Sequence, residues 1–149
     1  MRSPQVEAAT GLPEKVTIYE VGPRDGLQNE KTVVPAATKV EFIRRLEAAG
    51  LGTIETTSFV PARWVPQMGD AEEVLGALGD HGRGRRRPAL VPNERGLDRA
   101  EELGLTAIAI FGSATETFAQ KNLNRSVTEQ YAMFEPVVKR ALAGGMWVR

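Results

Sequence analysis

Short apolar runs of strand length alternate along this chain with segments whose apolar residues recur every three or four positions. After a polar, Pro-containing stretch, alternation over residues 16–21 predicts a first strand, whose loop runs to Pro35. A helix is expected over residues 37–49, because Val40, Ile43 and Leu46 share one face and Gly50 supplies the stop. Residues 53–57 predict a second strand, and a long loop over 58–69 leads to Asp70, a good N-cap for a helix reaching Leu78. A third strand is expected at 89–91, then a helix capped by Asn93 and ending near Leu103 and Gly104. Residues 107–111 are apolar throughout, as in a strand covered on both faces. A loop over 112–125 precedes Ser126-Val127-Thr128-Glu129, a capping-box pattern that opens a helix to Ala143. Pro136 should kink that helix or shorten its regular part. Gly144-Gly145 stops it, and Met146-Trp147-Val148 begins a fifth strand.

This alternation predicts an α/β fold. Four βα units plus the start of strand five match the first half of a TIM (β/α)8 barrel, which typically needs ~250 residues. A small doubly wound sheet gives the same succession of elements, so pattern alone leaves both open. No GxGxxG follows the first strand, so motifs add nothing to a dinucleotide fold. We divide the chain into a flexible N-terminal tail, residues 1–15, and the amino-terminal half of a barrel domain, residues 16–149.

Composition narrows the function classes. With 149 residues, 42% hydrophobic and 26% charged, the chain is globular rather than disordered. Nineteen basic residues balance nineteen acidic ones, so no net field favours nucleic acid or an anionic membrane. The absence of cysteine removes disulfides, zinc knuckles and thiol nucleophiles from these residues. No apolar run approaches the ~20 residues that span a bilayer. The first fifteen residues have neither signal-peptide nor transit-peptide character, and the expected compartment is the cytoplasm.

Candidate chemistry concentrates at strand ends. Arg24 and Asp25 sit side by side between two glycines on the loop leaving the first strand. Pro-x-Asp-Gly is also good turn chemistry in its own right. In a functional reading, Asp25 offers a hard oxygen ligand to Mg²⁺ or Mn²⁺. Arg24 then offers a permanently charged donor fork to a developing enolate oxygen. Alternation puts Thr53, Glu55 and Thr57 on one face of the second strand, so Glu55 is either an exposed edge residue or an interior carboxylate needing a partner. Arg24 is the natural partner. Glu20 fits a structural ion pair as well as a site role. Gln28, Ser58 and Asn122 add hydrogen-bonding groups on loops after the first, second and fourth strands, the end where barrel sites assemble. His81 lies in a Gly-rich loop without metal-ligand company. Arg83, Arg85, Arg86 and Arg87 read as a solvated basic run without interleaved aromatics. Trp64 and Met68 fit either a cap over the site or packing.

Three segments carry a resemblance: VTIYEVGPRDGLQNE from residue 16, IETTSFVPARWVPQMGD from residue 54 and FGSATETFAQKNLNRS from residue 111. In order and spacing they resemble the hydroxymethylglutaryl-CoA lyase family, over nearly the whole chain. Arg-Asp-Gly alone would indicate only the broader metal-dependent barrel superfamily that includes isopropylmalate and homocitrate synthases. The resemblance implies cleavage of 3-hydroxy-3-methylglutaryl-CoA to acetoacetate and acetyl-CoA with a divalent cation, Mg²⁺ or Mn²⁺. It implies Asp25 as a metal ligand, Arg24 and Glu55 as catalytic residues, and Gln28, Ser58 and Asn122 as substrate contacts. The family's His-x-His pair, a ligating asparagine and a catalytic cysteine come from later strands and loops, so the expected partners are an acyl-CoA and a further copy or complementing second half-barrel. Two other readings remain: a related acyl-CoA condensing enzyme, and a non-catalytic half-barrel that only associates with a partner chain.

Overall fold

A computed structural model describes residues 10–81 and 84–149. Its strands are β1 (Tyr19–Glu20), β2 (Thr53–Ile54), β3 (Thr57–Ser58), β4 (Ala89–Leu90), β5 (Ala107–Ala109) and β6 (Trp147–Val148). Every pairing is parallel. β2 and β3 belong to one extended segment that changes neighbours midway. Its Glu55 amide donates to the Glu20 carbonyl at 2.8 Å on one side, and its Thr56 amide to the Pro88 carbonyl at 3.0 Å on the other. The sheet therefore runs in strict chain order, β1, β2–β3, β4, β5, β6. A doubly wound sheet reverses direction at a switch point. A sheet that never reverses is the arc of a barrel, and the doubly wound alternative falls away.

Helices α1 (Ala36–Ala48), α2 (Ala71–Leu78), α3 (Glu94–Glu102), α4 (Glu116–Leu123) and α5 (Val127–Ala143) follow the strands. The outward strand residues Ala89, Val91 and Ile108 pack with Leu75, Leu97, Val137 and Ala141 from α2, α3 and α5. Ile54 joins Val40, Ile43 and Val74 in a second cluster under α1 and α2. Each fully buried Leu or Ile contributes roughly 1.5–3 kcal/mol, so these clusters anchor the strand ends that carry the polar groups.

Several expectations need correction. The first strand is shorter than residues 16–21 and pairs only at Tyr19–Glu20, with Val16 and Ile18 exposed. Its loop begins with a π-helical turn, Gly22–Gly26. Residues 112–125 are not all loop. Helix α4 occupies Glu116–Leu123, started by Thr115, whose hydroxyl accepts from the Phe118 amide, and ended by Asn124 in the left-handed region. It buries only Ala119, so it has no apolar stripe to betray it. Pro136 does not shorten α5, which runs unbroken for 17 residues because Phe134, Val137 and Ala141 on either side of it are buried. Asp70 precedes α2 without capping it, its carboxylate being held by Lys39 instead. The basic run is solvated only in part: Arg85 and Arg86 are exposed, with Arg86 pairing beside Thr53, whereas Arg87 is buried and donates to Glu47 and to the carbonyls ending α2. Arg83 lies outside the described residues. The expected caps are present: Asn93 accepts from Gly96, and Ser126 and Glu129 form a reciprocal capping box. No described helix is long and apolar enough to cross a membrane.

Candidate active site

The turn after β1 aims the candidate residues. Its amides from Arg24, Asp25 and Gly26 converge on the Val21 carbonyl at 3.1, 2.7 and 3.4 Å. The Gly22 amide donates to the Glu20 carboxylate at 2.6 Å. A Cβ at position 22 would lie 2.8 Å from that same oxygen, so a side chain there would displace the Glu20 carboxylate from the Gly22 amide. Glu20 thus closes the turn from below. Single π-turns of this kind occur often at functional sites.

Glu55 points to the inner face of the arc and is 1% exposed. Arg24 Nε donates to its Oε1 at 2.5 Å, and the Tyr19 hydroxyl donates to its Oε2 at 2.5 Å. Both carboxylate oxygens are therefore engaged, as a buried charge demands. Arg149 approaches Oε2 at 3.9 Å and lies over the Tyr19 ring at 3.9 Å. Tyr19 in turn stacks on Trp147, whose other neighbour is the Arg86 guanidinium at 4.4 Å. Burial pushes the Tyr19 phenol well above its ordinary value, and its hydrogen bond to the Glu55 carboxylate adds to that. Tyr19 therefore stays a donor to Glu55.

Arg24 also donates from Nη1 to Asp25 Oδ1 at 2.6 Å. Asp25 is 53% exposed and keeps its second carboxylate oxygen free of that bond. Such an oxygen suits a hard divalent cation as one of its ligands. Among the described residues no group of three or more His, Cys, Asp or Glu could hold a metal ion. The chain thus offers one ligand, not a finished cage.

The other candidates separate. Gln28 follows the same turn and is half-buried. Ser58 is buried, and its hydroxyl accepts from the Val60 amide at 3.1 Å. Asn122 lies on α4, exposed, and not on a loop. Met68 is buried, whereas Trp64 is 72% exposed. His81 is half-buried, with its pKa lowered chiefly by burial.

The sequence reading missed Lys39. It is 2% exposed on α1, and its ammonium donates to Asp70 at 2.6 and 2.8 Å and to the Gln67 carbonyl. Gln67 also donates to the Glu30 carbonyl at 2.6 Å. Lys39 thereby ties the loops after the first two strand segments together. The available signal was its place beside Val40 on the apolar face of α1.

The HMGL-like family model matches residues 15–149. The cytoplasmic 3-hydroxy-3-methylglutaryl-CoA lyase of Rattus norvegicus is 54% identical over 132 residues, 89% of this chain and 38% of its own length. The mitochondrial hydroxymethylglutaryl-CoA lyase of Homo sapiens is 44% identical over 149 residues, all of this chain and 46% of its own. The crystal structure of hydroxymethylglutaryl-CoA lyase from Pseudomonas aeruginosa superposes with a TM-score of 0.87 at 43% identity, covering 93% of this chain and 46% of that one. The chain thus spans under half the length of these relatives.

Proposed function

This chain belongs to the HMGL-like family, and from that membership we propose that it carries the amino-terminal share of a hydroxymethylglutaryl-CoA lyase active site. The reaction breaks the bond between the carbon bearing the tertiary hydroxyl and the carbon next to the thioester. The hydroxyl proton leaves, the carbon–oxygen double bond of acetoacetate forms, and the electron pair of the broken bond passes to the thioester as an enolate. Protonation of that enolate gives acetyl-CoA.

The observation that carries this reading is Arg24, held from below by Glu55 at 2.5 Å at the strand ends where barrel sites assemble. Held in this way, Arg24 presents its remaining N–H donors without reorganising as negative charge builds on the enolate oxygen. Glu55 orients Arg24, and Tyr19 orients Glu55. Asp25 is the ligand this chain would give to Mg²⁺ or Mn²⁺. Bound there, such an ion would polarise the substrate's oxygens as a Lewis acid. Gln28 and Asn122 are proposed substrate contacts, and Ser58 acts through the Val60 amide it accepts. The inner face, with Tyr19, Trp147 and Arg149, is completed in this proposal by a second half-barrel or a further copy. We place the protein in the cytoplasm, the compartment named for the rat relative.

The test is complementation. Co-expressed with the carboxy-terminal half of the Pseudomonas aeruginosa lyase, the chain should release acetoacetate from 3-hydroxy-3-methylglutaryl-CoA in a Mg²⁺-dependent manner. Arg24→Ala should abolish that release. A folded, Mg²⁺-loaded complex that leaves this substrate intact would overturn the reading.

A further inference from the structure

Helix α1 carries two buried charges, one near each end. Lys39 is its fourth residue and Glu47 its last but one. The helix macrodipole favours anions at the first of these places and cations at the second, so neither charge serves the helix itself. Each is matched by a group from elsewhere. Glu47 takes Arg87, just before the amino-terminal start of β4. Lys39 takes Asp70, beyond the loop that leaves β3 at the carboxyl-terminal end of the sheet.

Asp70 forgoes a local role for this pair. An aspartate in its position ordinarily steadies the helix that follows by accepting from the first-turn amides. Asp70 makes no such bond to α2, and both its carboxylate oxygens accept from the Lys39 ammonium, at 2.6 and 2.8 Å. The ammonium also donates to the Gln67 carbonyl, so its three protons have three acceptors where no water is needed.

Gln67 carries the hold onward. Its side-chain amide donates to the Glu30 carbonyl at 2.6 Å. The Asn29 and Glu30 amides turn back onto the Gly26 and Leu27 carbonyls at 3.2 Å, and the Asn29 side chain donates to the Asp25 carbonyl at 2.7 Å. Among the described hydrogen bonds, the one from Gln67 alone reaches residues 27–34 from outside the loop after β1. Asp25 itself is 53% exposed and its carboxylate is held only by Arg24, at one oxygen, so its placement depends on that backbone.

We propose that Lys39 and Asp70 are positioning residues for Asp25, an inference that rests on the lyase reading above. The buried pair fixes Gln67, Gln67 fixes the loop, and the loop sets the second Asp25 oxygen where it can take a divalent cation. Groups that orient a metal ligand without touching the metal typically change affinity by about 10–100-fold when lost.

Hydrogen exchange on the 149-residue chain and Mg²⁺ titration of the complemented enzyme test this together. Lys39→Met removes the buried charge, and Gln67→Ala cuts the link to Glu30 while leaving the ion pair in place. Read against the α3 amides, exchange at Asn29 and Glu30 should quicken roughly fivefold in both variants, as loss of one net hydrogen bond implies. The Mg²⁺ concentration giving half-maximal acetoacetate release should rise about tenfold in both, with kcat at saturating Mg²⁺ close to the parent's. Arg87→Met is the control, because it breaks the other buried pair of α1. It should leave both readouts at parent values. Should Lys39→Met fail to fold, Gln67→Ala decides by itself. Unchanged exchange in Gln67→Ala, unchanged half-saturation in a variant whose loop has loosened, or an equal shift in Arg87→Met would each overturn the proposal. A parent complex that releases no acetoacetate would sink the lyase reading alone, and the exchange pattern of the three variants would then decide whether the pair holds the loop.

Discussion

Arg24 Nε and Glu55 Oε1 stand 2.5 Å apart, one residue on the turn after β1 and the other inside the neighbouring strand segment. Glu55 is buried with both oxygens engaged, and Arg24 is largely enclosed. The pair therefore works as a bracket: the fixed carboxylate takes up one edge of the guanidinium and leaves its outer donors at a set height above the strand ends.

That bracket makes Arg24→Lys a sharp test in the complemented enzyme. Lysine keeps the charge but loses the planar fork, so an ammonium held by Glu55 no longer fixes the direction of its remaining donors. Loss of one preorganised oxyanion donor lowers turnover by roughly 10²–10³. Steady-state kinetics should show that drop in kcat with KM changed little, and near-normal turnover would remove Arg24 from the proposed role.

Tyr19 gives a readout through pH. The chain has two tyrosines, so Tyr131→Phe leaves Tyr19 as the sole tyrosinate signal at 295 nm. Burial first, and the Glu55 carboxylate second, hold the folded phenol protonated well above the ordinary tyrosine value. Both states carry the proton below about pH 10, the unperturbed value. Above it the unfolded chain ionises while the folded chain does not, so stability should fall as pH rises past that point. Glu55→Gln should bring the absorbance midpoint down. A midpoint that Glu55→Gln leaves in place would mean the two groups do not meet.

Lys39 and Asp70 make the next case. Breaking a buried pair by removing one partner costs about 3–5 kcal/mol, because the other charge stays behind. Urea melts of Lys39→Met should show a loss near the lower end, since Asp70 retains some exposure. The double variant with Asp70→Asn should recover part of that loss. A Lys39→Met protein that melts like the parent would show the contact to be incidental.

Edge behaviour supplies a fourth expectation. β1 and β6 each pair on one side only among the described residues. Unpaired parallel edges recruit other chains. Sedimentation of the isolated chain should show dimers or larger species, and a second half-barrel should suppress them. A compact monomer with a cooperative melt would contradict this.

Much of the site was legible before any coordinates. Gly-Pro-Arg-Asp-Gly after an alternating run, and Glu55 on the polar face of the next, put both groups near strand ends by period-two geometry, while burial of Glu55 against Arg24 came only from the pairing of those strands. Helix α4 was not legible, because a helix that buries only Ala119 shows no apolar stripe and depends on its Thr115 cap and Asn124 stop. Arg87 was misread for a related reason. A buried arginine and a solvated one look alike in a basic run, and only Glu47, brought alongside from α1, separates them.

What the sequence determined by itself was local: strand and helix periods, the Asn93 and Ser126 caps, the glycine at position 22 and the residue types available for chemistry. These depend on neighbours a few positions apart, which periodicity and turn chemistry report directly. Tertiary structure decided the rest. Strand order separated a barrel arc from a doubly wound sheet, since identical βα units satisfy both until the chain chooses which edge to extend. Lys39 and Asp70, Glu47 and Arg87, and Gln67 and Glu30 all join residues from different parts of the chain. Their pairing depends on how helices settle on the sheet, and burial, not sequence distance, sets which charges must find each other.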